Sequence, residues 1–252
     1  MNQSLIKEVG HRYDYVWGSS QSTKSPGETS FWRQGNPAAV ISWYITYNRD
    51  PHPYNLSWYE KNHPEWVLYQ CDGTTPAWEF GQAIAGEVPV DIFNPEVLAW
   101  QLQYIDSTNA ALGKWMDAIA WDNYGFSNFI ACGTKAADGS FTKRWNGTHD
   151  PGYAAGVVDW SIKMGAALHQ RGLKMIPNFQ IGSLSWDSPQ VLTIGNVTDG
   201  ILDEAGFTDA KGYLGPGGKI INPNQTVPYS NWKNIILFML NLQRHGKACK
   251  SD

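Results

Sequence analysis

The stretch Asp117-Ala-Ile-Ala-Trp-Asp-Asn-Tyr-Gly-Phe126 joins a short apolar run, Ala118 to Trp121, to a carboxylate, Asp122, and a polar, aromatic continuation. The same shape returns downstream as Asp199-Gly-Ile-Leu-Asp-Glu-Ala-Gly-Phe207, with Asp117 falling on Asp199, Ile119 on Ile201 and Asp122 on Glu204. Short apolar runs bounded by turn residues read as buried strands. Two such strands ending in a carboxylate at one register place two acids at the same end of a sheet, facing one cleft. Asp203, beside Glu204, points to the opposite face because side chains alternate along a strand. Asp117 and Asp199 precede their strands and belong to the opposite, structural end.

Around this stretch, further strands are expected at Tyr13–Trp17, Ala39–Tyr47, Trp66–Gln70, Leu173–Phe179 and Gly200–Asp203, each rich in β-branched or aromatic residues. Helices alternate with them. Asn94-Pro95-Glu96 and Asp150-Pro151 are helix starts, with a side-chain cap and proline at the first helical position. Asn55–Asn62 predicts a short helix, 188–197 another, and Ser230 caps a last one that closes at Gly246. Such alternation points to βαβ units around a parallel sheet. The links into strands are short, whereas those leaving the strands of Asp122 and Glu204 are long, Asn123–His149 and Ala205–Tyr229. In a (β/α)8 barrel that asymmetry puts the active site at the carboxyl ends of the strands. Six strands and the start of a seventh, Lys247-Ala-Cys249, are recognisable in the 252 residues. The expectation is a single α/β domain, a (β/α)8 TIM barrel spanning 1–252 and lacking the last one or two βα units.

Apolar residues make up 42% of the chain and charged residues 17%, which excludes wholesale disorder. A net charge of −4 without a basic run argues against nucleic acid. No segment has the length and apolarity of a membrane span. Cys71, Cys132 and Cys249 show neither metal-type spacing nor an even framework, and the six histidines form no H-x-H or H-E-x-x-H pattern, so no metal or cofactor is expected. The first residues lack the apolar core of a signal peptide. Sequons at Asn2, Asn55, Asn146, Asn196 and Asn224 hint at secretion and leave the compartment open. The 13 Trp and 12 Tyr are the outlier of the composition: most are expected to fill a large core, and several to line a groove where flat aromatic faces stack on the apolar faces of sugar rings.

Glycosidic cleavage needs two carboxyl groups, one to protonate the leaving oxygen and one to attack the anomeric carbon or activate water. Asp122 and Glu204 supply that pair, with Trp17, Trp43 and Tyr124 as desolvating neighbours. Asp14, Asp72, Asn123, Asn178 and Gln180, at or near strand ends, are candidates for hydrogen bonding to sugar hydroxyls. No nucleophile elbow, P-loop or dinucleotide fingerprint occurs.

The series Trp66-Val-Leu-Tyr-Gln-Cys-Asp72, Val90-Asp-Ile-Phe-Asn-Pro-Glu96, Ala120-Trp-Asp-Asn123, Pro177-Asn-Phe179 and Leu202-Asp-Glu204 resembles the glycoside-hydrolase-like TIM-barrel families, most of them hypothetical glycosyl hydrolases. The resemblance runs from about Tyr13 to the carboxyl terminus and lacks the last strands. In strand positions alone the chain is also similar to the α-galactosidase and dextranase group of retaining glycosidases. That similarity implies Asp122, ending the fourth strand, as nucleophile and Glu204, ending the sixth, as acid/base. It implies a carbohydrate substrate, an oligo- or polysaccharide, and that substrate class favours secretion. The alternatives are a carbohydrate-binding barrel without catalysis, or a polysaccharide lyase or deacetylase using the same acids.

Overall fold

A computed structural model describes residues 3–18, 26–50, 54–78, 87–111, 113–127, 130–146, 150–181, 184, 186–203 and 229–251. The architecture is mixed α/β, built on a parallel sheet. Strands β1 (Tyr15–Val16), β2 (Val40–Thr46), β4 (Ala118–Asp122) and β8 (Lys174–Met175) lie side by side in that order, all parallel. Asn178 and Leu202 bridge in parallel, which extends the order to β10 (Gly200–Asp203) and its parallel neighbour β11 (Ala248–Ser251). The seventh predicted strand therefore forms, although its second half, Lys250 and Ser251, is polar. Val16 and Trp17 on one side and Ile201 and Leu202 on the other line one small hollow, so the sheet curls until its first and fifth strands face each other.

The strand expected at Trp66–Gln70 forms as β3 (Leu68–Tyr69) but does not enter this sheet. β2 pairs directly with β4, Thr46 opposite Asp122. β3 instead runs antiparallel to β6 (Gly133–Lys135), which pairs with β7 (Phe141–Lys143). The long link after Asp122 thus contains a hairpin whose partner is β3. This corrects the strand count: Asp122 ends the third parallel strand, and Glu204 follows the fifth. One strand, β8, lies between β4 and β10. A disulfide joins Cys71, just after β3, to Cys132, just before β6, with Cα atoms 4.9 Å apart. Three cysteines without a spacing pattern had suggested no framework, because a bridge between two loops leaves no local signature.

The helices are α1 (Gln3–Gly10), α2 (Pro26–Gly35), α3 (Leu56–Asn62), α4 (Pro95–Ala111), α5 (Pro151–Gln170), α6 (Pro189–Val197) and α7 (Tyr229–Arg244). Their starts follow the expected chemistry. Asn94 Oδ1 accepts from Glu96 N–H at 2.9 Å, Asp150 Oδ1 from Gly152 N–H at 2.8 Å, and Asn55 and Ser188 cap α3 and α6. The last helix begins at Tyr229, so Ser230 lies inside it. The helix-facing side of the sheet buries Ile41, Trp43, Ile45, Ile119 and Trp121. Trp43 meets Tyr104 of α4 and Trp121 meets Trp160 of α5, both at 5.2 Å between ring centroids. Each such fully buried side chain contributes on the order of 1.5–3 kcal/mol. A second cluster, Tyr59, Trp66, Val67, Tyr69, Val88, Val90 and Val97, lies under the antiparallel strands.

The Asp117/Asp199 repeat has a structural counterpart. Asp117 N–H donates to Ile41 C=O, and Asp117 Oδ2 accepts from Ile41 N–H, both at 2.9 Å. Asp199 holds Met175 in the same two-point clamp, again at 2.9 Å for each bond. A side chain from a neighbouring helix completes each clamp: Arg33 of α2 on Asp117 at 2.8 Å, His169 of α5 on Asp199 at 2.7 Å. Both acids sit at the amino ends of their strands and lock each strand to its predecessor.

Candidate active site

Asp122 is half-buried at the carboxyl end of β4. Its Oδ2 accepts from Tyr44 Oη at 2.5 Å and its Oδ1 from Asn178 Nδ2 at 2.9 Å. One donor comes from the strand on each side, so both oxygens are engaged and the carboxyl orientation is set by the sheet. Burial, then the hydrogen bond to Asp122, pushes the Tyr44 hydroxyl up to about 12, so it stays a neutral donor over the physiological range. Trp17 packs edge-on against Tyr44 at 6.0 Å, and its Nε1–H donates to Ile176 C=O at 2.8 Å. Trp17 thus reaches from the first strand to the fourth, against the face of Tyr44's strand that carries the Asp122 partner. Period-two alternation puts Ser42, Tyr44, Ala118, Ala120 and Asp122 on this inner face. The small residues Ser42, Ala118 and Ala120 leave room there for the Trp17 ring.

Directly after Asp122, Asn123 has φ +54°. Asparagine is one of the few residues that adopt this left-handed conformation without large cost. The turn divides the strand, which resumes as β5 (Tyr124–Gly125) beside β9 (Phe179–Gln180). Pro177 marks the matching break between β8 and β9. The tips of both strands are therefore irregular at the level of Asp122 and Asn178, where the buried Asn178 reaches across to the Asp122 carboxylate.

The structure brings together Asp122, Asn178, Trp17 and the Asn123 turn, while Gln180 lies exposed at the end of β9. It separates the others. Asp14 precedes β1 at the amino end of the sheet, bonded by Asn36 Nδ2 at 3.2 Å. Trp43 packs on α4 instead of lining a groove, because it is one residue out of phase with Tyr44. Tyr124 is fully buried with its hydroxyl on Ser161 of α5 at 2.5 Å, a core contact. Asp72 closes its own turn, accepting from Thr74 N–H and Thr75 N–H at 2.9 Å and from Thr75 Oγ1 at 2.6 Å. Those bonds, the Thr75 hydroxyl first, hold its carboxyl down at about 2. Glu204 lies outside the described residues. Tyr44 is the residue that sequence reading missed, and the alternation set by Ser42 and Thr46 is the signal that could have found it.

The chain matches no family model and no curated protein. Among solved structures it is similar to Aspergillus fumigatus Ega3 in complex with galactosamine, with a TM-score of 0.46 and 11% identity over 91% of this chain and 64% of that one. It is similar to a noncanonic maltogenic α-amylase, AmyB, from Thermotoga neapolitana, with a TM-score of 0.43 and 14% identity over 88% of this chain and 40% of that one. A third is the α-N-acetylgalactosaminidase NagBb from Bifidobacterium bifidum, with a TM-score of 0.44 and 12% identity over 79% and 31%. The chain spans less than two thirds of each. All three scores lie below one half, so the chemistry must be argued from this chain's own residues.

Proposed function

We propose that this chain is a glycoside hydrolase acting on an oligo- or polysaccharide, with Asp122 as nucleophile and Glu204 as acid/base in a retaining mechanism. The observation that carries the reading is the placement of Asp122: a half-buried acid at the carboxyl edge of a parallel sheet, gripped on both oxygens by neighbouring strands. Tyr44 and Asn178 fix its orientation, so that one oxygen can be presented in line to an anomeric carbon. Trp17, edge-on beside Tyr44, supplies an apolar surface for the sugar ring. Glu204, one residue beyond β10, protonates the departing glycosidic oxygen and then takes the proton from the water that releases the glycosyl intermediate. The chain's resemblance to hypothetical glycosyl hydrolases supports the same chemistry.

The test is hydrolysis of a panel of oligosaccharides by wild type, Asp122→Asn and Glu204→Gln, with the anomer of the first product followed by NMR. Each substitution is expected to lower kcat by about a thousandfold or more while the fold persists. The released sugar is expected to keep its configuration. Turnover preserved in both variants would remove the pair; glycan binding without product release, in wild type, would leave a binding barrel in place of an enzyme.

A further inference from the structure

Away from Asp122, three potential metal ligands converge where α3, the 3-10 turn Pro64–Trp66 and the start of α4 meet. These are His63, Glu65 and Glu96, whose ligand atoms all lie within 4.8 Å of one another. His63 Nδ1 and Glu65 Oε1 are 3.6 Å apart. Two atoms bound about 2.1 Å from a tetrahedral ion are roughly 3.4 Å apart, so this pair is already near the required spacing. Trp66 contacts two of the three ligands. The Trp66 ring stacks on the His63 imidazole, centroids 3.9 Å apart and planes inclined by 22°, and Trp66 Nε1–H donates to Glu96 Oε2 at 3.3 Å. Trp66 is itself buried in the second core cluster, which makes it a rigid support. Outer partners of this kind commonly hold ligands in metal sites.

We infer that His63, Glu65 and Glu96 form a binding site for a zinc-class divalent cation. One imidazole nitrogen and two carboxylates suit a borderline first-row ion, whereas Mg2+ and Ca2+ prefer all-oxygen shells. Three protein ligands leave a coordination position for water. The site ties the 3-10 turn after α3 to the first turn of α4, and it is independent of the hydrolase reading. Histidine-pair motifs do not detect it, because its ligands follow an H-x-E pattern completed by an acid on another element.

Titration calorimetry of ZnCl2 into tag-free, chelator-treated protein tests the site. One equivalent is expected to bind with micromolar or tighter affinity, with a rise in Tm that grows with zinc concentration. His63→Ala and Glu96→Gln should each weaken binding by at least about tenfold. His245→Ala, at an exposed histidine elsewhere, should leave it unchanged. All three variants change surface groups, and circular dichroism verifies that each is folded. Undiminished binding to His63→Ala, no wild-type binding below millimolar zinc, or equal binding of Mg2+ would each overturn the assignment.

Discussion

Two aspartates of one short stretch divide the labour of this fold. Asp117 is engaged by Arg33 and the Ile41 backbone at the amino end of β4, Asp122 by Tyr44 and Asn178 at its carboxyl end. Asp117→Asn weakens a charged hydrogen-bond pair, so it should lower stability by about 1–3 kcal/mol in chemical denaturation and leave kcat within about twofold. Tyr44→Phe should differ in activity. It removes a bond to a charged group, worth about 1.5–3 kcal/mol to stability, and by releasing the Asp122 carboxylate it should also lower kcat/KM about ten- to a hundredfold. Equal activity losses in the two variants would contradict the separation of ends. At this scale the sequence was legible wherever register could be read. The match of Asp117 to Asp199 exposed a shared strand clamp, and the apolar run before Asp122 located its strand end. The hydrogen bond from Tyr44 was not legible, because it depends on which strand lies beside β4.

Element boundaries were largely written in local chemistry, since caps and proline positions act within a few residues of themselves. Asn55, Asn94, Asp150 and Ser188 each begin a helix where their side chains accept a backbone N–H. Pairing was not local. β3 has the composition of any buried strand, and only the disulfide partner Cys132 and the hairpin of β6 and β7 draw it out of the parallel sheet. The approach of β5 to β9 is equally tertiary. A Cβ added at Gly125 would fall inside van der Waals contact of the Gln180 carbonyl oxygen, which is backbone and cannot rotate away. Gly125→Ala is therefore expected to cost about 1–3 kcal/mol and to depress turnover by pushing Asn178 away from Asp122. Unfolding curves superimposable on wild type would show that the two strands part easily.

Across the whole molecule, the core between sheet and helices is unusually aromatic and carries buried phenols. Tyr47, Tyr124 and Tyr153 have hydroxyls held well above their ordinary value near 10, burial being the first cause in each. The unfolded chain releases these protons near pH 10 and the folded chain does not. Stability is therefore undiminished below that pH and falls as pH rises past it. Alkaline unfolding should be cooperative, with part of the phenolate absorbance appearing only as circular dichroism is lost. Ionisation of every tyrosine near pH 10 in an intact fold would contradict this. The sequence by itself determined the alternation of strands and helices, the starts of α3, α4, α5 and α6, and the register that puts Asp122 at a strand tip, because each follows from periodicity and short-range hydrogen bonding. Only the tertiary structure decided that β3 leaves the parallel sheet, that Tyr44 and Asn178 are the residues holding Asp122, and that Trp43, Tyr124, Asp72 and Asp14 serve elsewhere. Strand order and facing residues are long-range contacts, set by how whole elements pack, and no local pattern encodes them.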